Sequence, residues 1–359
     1  MANFNGQLRS NEIFSALYNM IISQQVFADN IKGTKASLVD KAREDGSLYG
    51  DTKLYYATDV LKSAPWGNDA EATNLLALHR PAAPECQAIH LDKFRQISLT
   101  VDNYLSKRAW GTEGAFSSFN SVMLGWVRDT KKVYDTTTYN AYIGTAQSSV
   151  GKQTYEIAVA DLVGDATGEE AARLEGMAIA EGLANLFVEM SDVNRDFNDY
   201  QNLRSYDIKD IKVVWNSKAV NKIKKVDLPT IFHKEGLMDK FDETVLPARY
   251  FGSVNASGGT TASSNATIRS LIEKDYGATH VFPGDLLPNS TAYLANETYT
   301  VDEDIICKVV VKLPPYMSSF EVGTSFFNPK SLTENHYLTF GHNTLEYLKN
   351  YPMITVHKD

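Results

Sequence analysis

Seven histidines, two cysteines and 44 acidic residues are the first side chains of this 359-residue chain to ask for metal binding or for acid, base or thiol chemistry. Their spacing assigns none of those tasks. His90 runs into Leu91-Asp92 and His233 into Lys234-Glu235-Gly236, so neither opens the His-Glu-x-x-His pattern that sets two zinc ligands on one helix face. Cys86 and Cys307 are the two cysteines, too few for a disulfide scaffold and not in the Cys-x-x-Cys spacing of a zinc signal. Inert thiols are expected. His336 and His342 bracket "YLTFG" with no third ligand beside them, the pattern of histidines satisfied by core or surface. In "GDATGEE", Gly164 and Gly168 hint at a phosphate loop, but Glu169 and Glu170 fill the positions where lysine and a hydroxyl would meet phosphate. Those carboxylates suit the positive end of a helix. "GTSFF" at 323–327 lacks the closing glycine of a nucleophile elbow. The expectation is no enzyme, no metal and no cofactor.

Charge narrows the partners. A net charge of −9 is a poor basis for a nucleic-acid clamp, because such binding rests on neutralising phosphates. One basic run exists, Lys209, Lys212, Lys218, Lys222, Lys224 and Lys225, but Asp207, Asp210 and Asp227 interrupt it and a solvated edge is expected. The longest apolar runs, Ile305-Ile306-Cys307 and Val309-Val310-Val311, are far too short to cross a membrane. "MANFNGQLRSNEIF" lacks the basic and apolar regions of a secretory signal, so four Asn-x-Ser/Thr sequons from Asn255 onward read as loop composition.

The elements that must present any functional surface are easier to place. Ile13, Phe14, Leu17, Met20 and Ile21 share one helical face within an N-terminal arm, residues 1–47. "SLYGDTKLYYATDV" predicts a strand. Then "SAPWGNDAEATNLLALHRPAAPECQ" is broken by Pro65, Gly67, Pro81 and Pro84, and "AIHLDKFRQISLTVDNYL" alternates as a half-buried strand running back. These two arms predict a long ribbon with no core of its own, and an isolated ribbon is marginal in water. From Phe116 an apolar stripe runs through Phe119, Met123, Trp126, Thr130, Val133, Thr137 and Ala141, a helix about 40 Å long. Three consecutive β-branched threonines, 136–138, weaken it unless they are buried. A second helix carries Ile179, Leu183, Leu186, Met190, Val193 and Phe197 and is expected to lie on a sheet. A strand ending at Val213-Val214-Trp215 precedes a short helix capped by Asn216 or Ser217, carrying Val220 and Ile223. "TVDEDIICKVVVKL" and "YLTFGHNTLEYLKNYPMITV" supply later strands, around an exposed Gly/Ser/Thr-rich loop at 253–270.

This order resembles the major capsid proteins of tailed bacteriophages, the Hong Kong 97-type fold, most of all those of small short-tailed phages. The likeness rests on "AIHLDKFRQISLTVDNYLSKRAWGTEGAFSSFNSVMLGWV", "DIKDIKVVWNSKAVNKIKK" and "YLTFGHNTLEYLKNYPMITV". It implies an α+β fold divided into an N-terminal arm (1–47), a peripheral-domain strand and E-loop hairpin (48–110), a spine helix (111–146), an axial domain (147–330) and peripheral return strands (331–359). It also implies that the E-loop lies across a neighbouring subunit. Inter-subunit contacts are then expected at Phe14, Tyr18, Trp66, His79, Arg80, Ile89, Leu91, Lys93, Arg95, Ile97 and Leu99.

The partners implied are copies of itself in hexamers and pentamers of an icosahedral or prolate shell, a portal protein and an accessory cement protein. The shell would enclose double-stranded DNA without sequence-specific binding, with no membrane, in a virion assembled in the bacterial cytoplasm. Fewer than fifty residues precede the first strand, so a separate scaffolding protein is implied rather than a fused one. Some relatives cross-link Lys to Asn between subunits; Lys93 lies on the loop, but no matching motif carries that chemistry here. Two other readings stay open. An encapsulin-type nanocompartment would share the fold and use residues 8–27 as an inner helix. The other is a soluble enzyme with no recognisable motif.

Overall fold

The computed structural model describes residues 38–45, 52–63, 78, 80–102, 113–148, 152–220, 242–255 and 298–359. Over these the chain is α+β. It opens with helix α1 (Leu38–Ala42) and strands β1 (Arg43–Asp45), β2 (Thr52–Ala57) and β3 (Glu85–Asp102). The long helix α2 (Glu113–Thr145) follows, then β4 (Thr154–Ile157), α3 (Val159–Val163) and α4 (Gly168–Ser191). Strands β5 (Lys212–Asn216), β6 (Asp242–Leu246), β7 (Gly252–Asn255), β8 (Thr298–Val301) and β9 (Ile305–Val310) come next. The chain finishes with β10 (Tyr316–Asn328), β11 (Thr333–Asn343) and β12 (Met353–Lys358).

Two five-stranded sheets result, ordered β1-β10-β11-β3-β2 and β4-β12-β9-β5-β6. The second is covered on both faces, so β9 is buried at every position and shows no alternation. On one face lie Ile179, Leu183, Leu186 and Met190 of α4, packed on Val213, Trp215, Val309 and Ile354. The acidic first turn of α4, Glu169 and Glu170, sits as expected at its positive end. Its expected stripe overshoots: the helix stops at Ser191, Val193 is exposed, and Phe197 is buried from the following loop. Asn216 ends β5 and accepts a hydrogen bond from the Lys218 amide (3.0 Å), so it is Asn216, of the two caps read from sequence, that serves.

The other face holds the C-terminal third of α2. Tyr134, Tyr139, Ala141, Tyr142 and Ile143 pack against Val214 and Val310 of the second sheet and Tyr316 and Phe340 of the first. Both sheets therefore clasp one helix end, and the one-sided stripe expected along α2 gives way there to burial all round. Thr137 and Thr138 lie in that clasp, which is how a β-branched run stays helical. Between 125 and 133 the helix is half-buried or exposed, and Trp126, part of the expected apolar stripe, is 38% exposed. Gly144 lets the helix end approach the backbone at Tyr250: a Cβ there would lie 1.8 Å from the Tyr250 carbonyl oxygen.

The long ribbon expected from the two arms needs correction. Among the described residues the arms around the 58–84 connection pair over Thr52–Ala57 with Glu85–His90; beyond that, β3 pairs with β11 of its own chain from Leu91 to Asp102. Within 331–359, β11 completes the first sheet and β12 enters the second. Hydrogen bonding across more than 200 residues decides both, and local periodicity does not encode it.

Candidate functional site

Beyond the clasped helix end, the first sheet continues as a three-stranded ribbon, β10-β11-β3. It runs from Glu321 paired with Phe340 to Asn328 paired with Thr333, and Thr333 in turn faces Asp102. Its inner part is supported, with Ile97 and Leu338 half-buried against the core. Its outer part is not. All of Val322–Phe327 is exposed, so β10 meets solvent on both faces there. Val322 (44%), Phe326 (61%), Phe327 (49%) and Leu332 (42%) stand out of it. Adjacent strand residues point to opposite faces, so Phe326 and Phe327 put an aromatic ring on each side of the ribbon.

The turn is built for display. Asn328 Oδ1 accepts from the Lys330 amide at 3.0 Å, the Ser331 and Thr333 hydroxyls bond at 2.7 Å, and Leu332 takes a left-handed φ of 56°. Both edges are also open among the described residues. β1 covers β10 only at Tyr316–Ser318, and β2 covers β3 only to His90. Unpaired edges are ready partners for another strand. Between the ribbon and α2 lies an open cleft of about 420 Å³, lined by Val127, Arg128, Thr324, His336, Tyr337 and Leu338.

A buried polar chain anchors the ribbon to α2. His342 is fully buried and its Nδ1 meets the Asn343 carbonyl at 2.8 Å, so Nδ1 carries the proton and Nε2 accepts from Tyr134 Oη at 2.9 Å. Arg95 Nε donates to that same Tyr134 oxygen (3.3 Å) and its guanidinium lies over the ring. Beside them Asp135 accepts from the Tyr316 hydroxyl (2.7 Å) and Lys131 (3.0 Å), with Arg43 at 3.5 Å. Burial and the Asp135 carboxylate hold the Tyr316 phenol well above its ordinary pKa.

The start of the connection between β2 and β3 is tied to the other half of the molecule. Asp59 accepts from the Leu203 amide (2.9 Å) and from Arg195 (2.7 Å), and Arg204 reaches the Thr58 carbonyl (2.7 Å). The Leu203 backbone bond, with Arg195, holds the Asp59 carboxyl down at about 2. Asp59→Ala should therefore speed hydrogen exchange at Val60 and Leu203. In the wild type the tie should persist through mildly acid conditions and fade only as pH falls below the ordinary carboxyl value of 3.8 toward 2. Unchanged exchange in the variant would remove Asp59 from this role.

Of the contact residues read from sequence, Phe14, Tyr18, Trp66 and His79 lie outside the described residues. Arg80 is exposed. Ile89 (0%) and Leu91 (3%) are not surface: they form a core with Met317 and Leu348, because the segment after β11 folds back over them. Gln87 fixes that fold-back, donating to the Tyr347 carbonyl and accepting from the Lys349 amide, each at 2.9 Å. Lys93 is buried, Arg95 serves Tyr134, and Ile97 and Leu99 are half-buried. The exposed apolar residues of β10 and its turn are absent from the sequence-derived set. "SFFNP" carried their signal: a strand cannot bury two successive phenylalanines on one face, and Asn-Pro marks a turn.

No protein-family model matches the chain, and no curated protein matches its sequence. Solved structures do match. A chain from the capsid structure of Staphylococcus phage Andhra is 10% identical, with 90% of this chain and 84% of that one covered and a TM-score of 0.58. A chain from the structure of head fiber and inner core protein gp22 of native bacteriophage P68 is also 10% identical, covering 89% and 83% with the same TM-score. The class defined here is an α+β fold shared with chains of phage-head structures.

Proposed function

We propose that the chain is the major capsid protein of a tailed bacteriophage, with the Hong Kong 97-type fold. The observation that carries this reading is the β10-β11-β3 ribbon, with an exposed phenylalanine on each face and open at both edges among the described residues, on a fold shared with phage-head chains. A lone ribbon is marginal in water, and a neighbouring copy supplies what it lacks. In this reading the connection after β2 is the E-loop, α2 is the spine helix, the first sheet belongs to the peripheral domain and the second, with α4, is the axial domain. The subunit forms hexamers and pentamers, with portal, scaffolding and cement proteins as partners. A net charge of −9 suits a wall that encloses DNA and lets it leave.

Negative-stain microscopy of the full chain, expressed alone and with a scaffolding protein, tests this. Closed shells, tubes or capsomers are the expected products, with scaffold dependence and enclosed DNA rather than cargo enzyme. A monomer or small dimer under both conditions would overturn the reading.

A further inference from the structure

Lys308 lies at the middle of β9, in the centre of the second sheet, and is 1% exposed. Its Nζ donates to the Ala146 carbonyl (2.9 Å), just past the end of α2, and to Thr355 Oγ1 on β12 (2.6 Å). Both partners are neutral, and among the described residues no carboxylate comes within ion-pair distance. A charged ammonium in that place has lost its water and gained only a hydroxyl and the negative end of a helix. The bond to Ala146 is also a joint, since α2 is held to the first sheet through Tyr134 and Asp135 and to the second sheet here.

We propose that Lys308 makes the seating of α2 on the second sheet proton-linked: opening this joint takes up a proton on the amine, so the joint tightens as pH rises above neutrality. Burial holds the closed amine at about 7, against 10.5 for an exposed lysine. Between those values the open state binds more protons, so the opening constant falls as pH rises; below about 7 both states are charged and it levels off. Three other titratable groups face this amine. His357 on β12 is held below 6.5, mostly by burial, so its proton linkage acts on the acid side of the window. Burial raises the Cys307 thiol above its ordinary 9.0, so it opposes only in more alkaline solution. Asp302 raises the amine slightly. The range from pH 7 to 9 belongs to Lys308.

Hydrogen exchange of the full chain, corrected for the intrinsic pH dependence, reads the opening at residues 142–146 and 305–310. The wild-type opening constant should fall by roughly one to two orders of magnitude between pH 7 and 9. Lys308→Met, which keeps the length and removes the proton, should flatten that profile, and Lys308→Arg should hold the joint loose throughout. Identical profiles for wild type and Lys308→Met would overturn the proposal. Should the variants not fold, the wild-type amine can be followed directly by NMR of the lysine Cε and Nζ: a midpoint near 7 supports the proposal, and one at or above 10 overturns it.

Discussion

Gly144→Ala should unfold or loosen the molecule at the point where its halves meet, lowering stability by about 3 kcal/mol or more. The added carbon would sit 1.8 Å from the Tyr250 oxygen, 2.5 Å from its carbonyl carbon and 3.2 Å from the Phe251 nitrogen, all backbone atoms. Backbone cannot rotate away as a side chain can, so either α2 or the 248–251 turn must move, and both are buried among tightly packed neighbours. Two other glycines give the comparison. A Cβ at Gly182 first meets the Ile157 side chain, at 2.8 Å, which a rotamer change can relieve at smaller cost. At Gly125 nothing lies within 4 Å, and alanine should stabilise the same helix by up to about 1 kcal/mol through its better helix propensity. Urea unfolding of the three variants checks the order 144, 182, 125. A Gly144 variant as stable as wild type would mean that α2 is not seated on Tyr250 in solution.

Phe326→Ser together with Phe327→Ser should abolish shells while leaving a folded subunit. The two rings are 61% and 49% exposed, so serine removes only part of each ring's packing and the subunit should lose about 1–3 kcal/mol while still folding. Each ring has on the order of 100 Å² still to bury against a neighbour, about 2–3 kcal/mol per contact, and a closed shell repeats that contact in every subunit. Ile89 and Leu91 would be the wrong residues to change for this purpose. Both are inside the subunit, where truncation to alanine costs about 2–5 kcal/mol of folding stability and would mimic an assembly defect. Sedimentation and microscopy of the double variant separate the cases: folded, unassembled subunits are expected, and shells at normal yield would exclude the ribbon as a contact surface.

What the sequence made legible was local. Steps of three and four gave α2 and most of α4, and the Asn216 cap was readable as the polar residue after an apolar strand. The alternation of β3 was visible, but its partner was not, since the same inward residues suit β2, β11 or a strand of another subunit. That ambiguity puts Ile89 and Leu91 among the expected inter-subunit contacts and leaves Phe326 and Phe327 out of them. Lys308 shows a different limit. In "IICKVVVKL" a lysine inside an apolar run reads as the outward position of an edge strand, and only the covering of both sheet faces makes it a buried amine.

The place of β12 has a consequence for how the protein is made. β4 has β12 as its single strand partner among the described residues, and the Gln153 side chain that seats Met353 lies 200 residues before it. At roughly 5–20 residues per second on the ribosome, β4 waits some ten to forty seconds for its mate. Late in that interval, once β9 itself has been made, one edge of β9 is bare as well, because β12 fills the slot between them. Nascent chains on one message therefore carry matching open edges at the same time, and a stall before residue 353 prolongs that state.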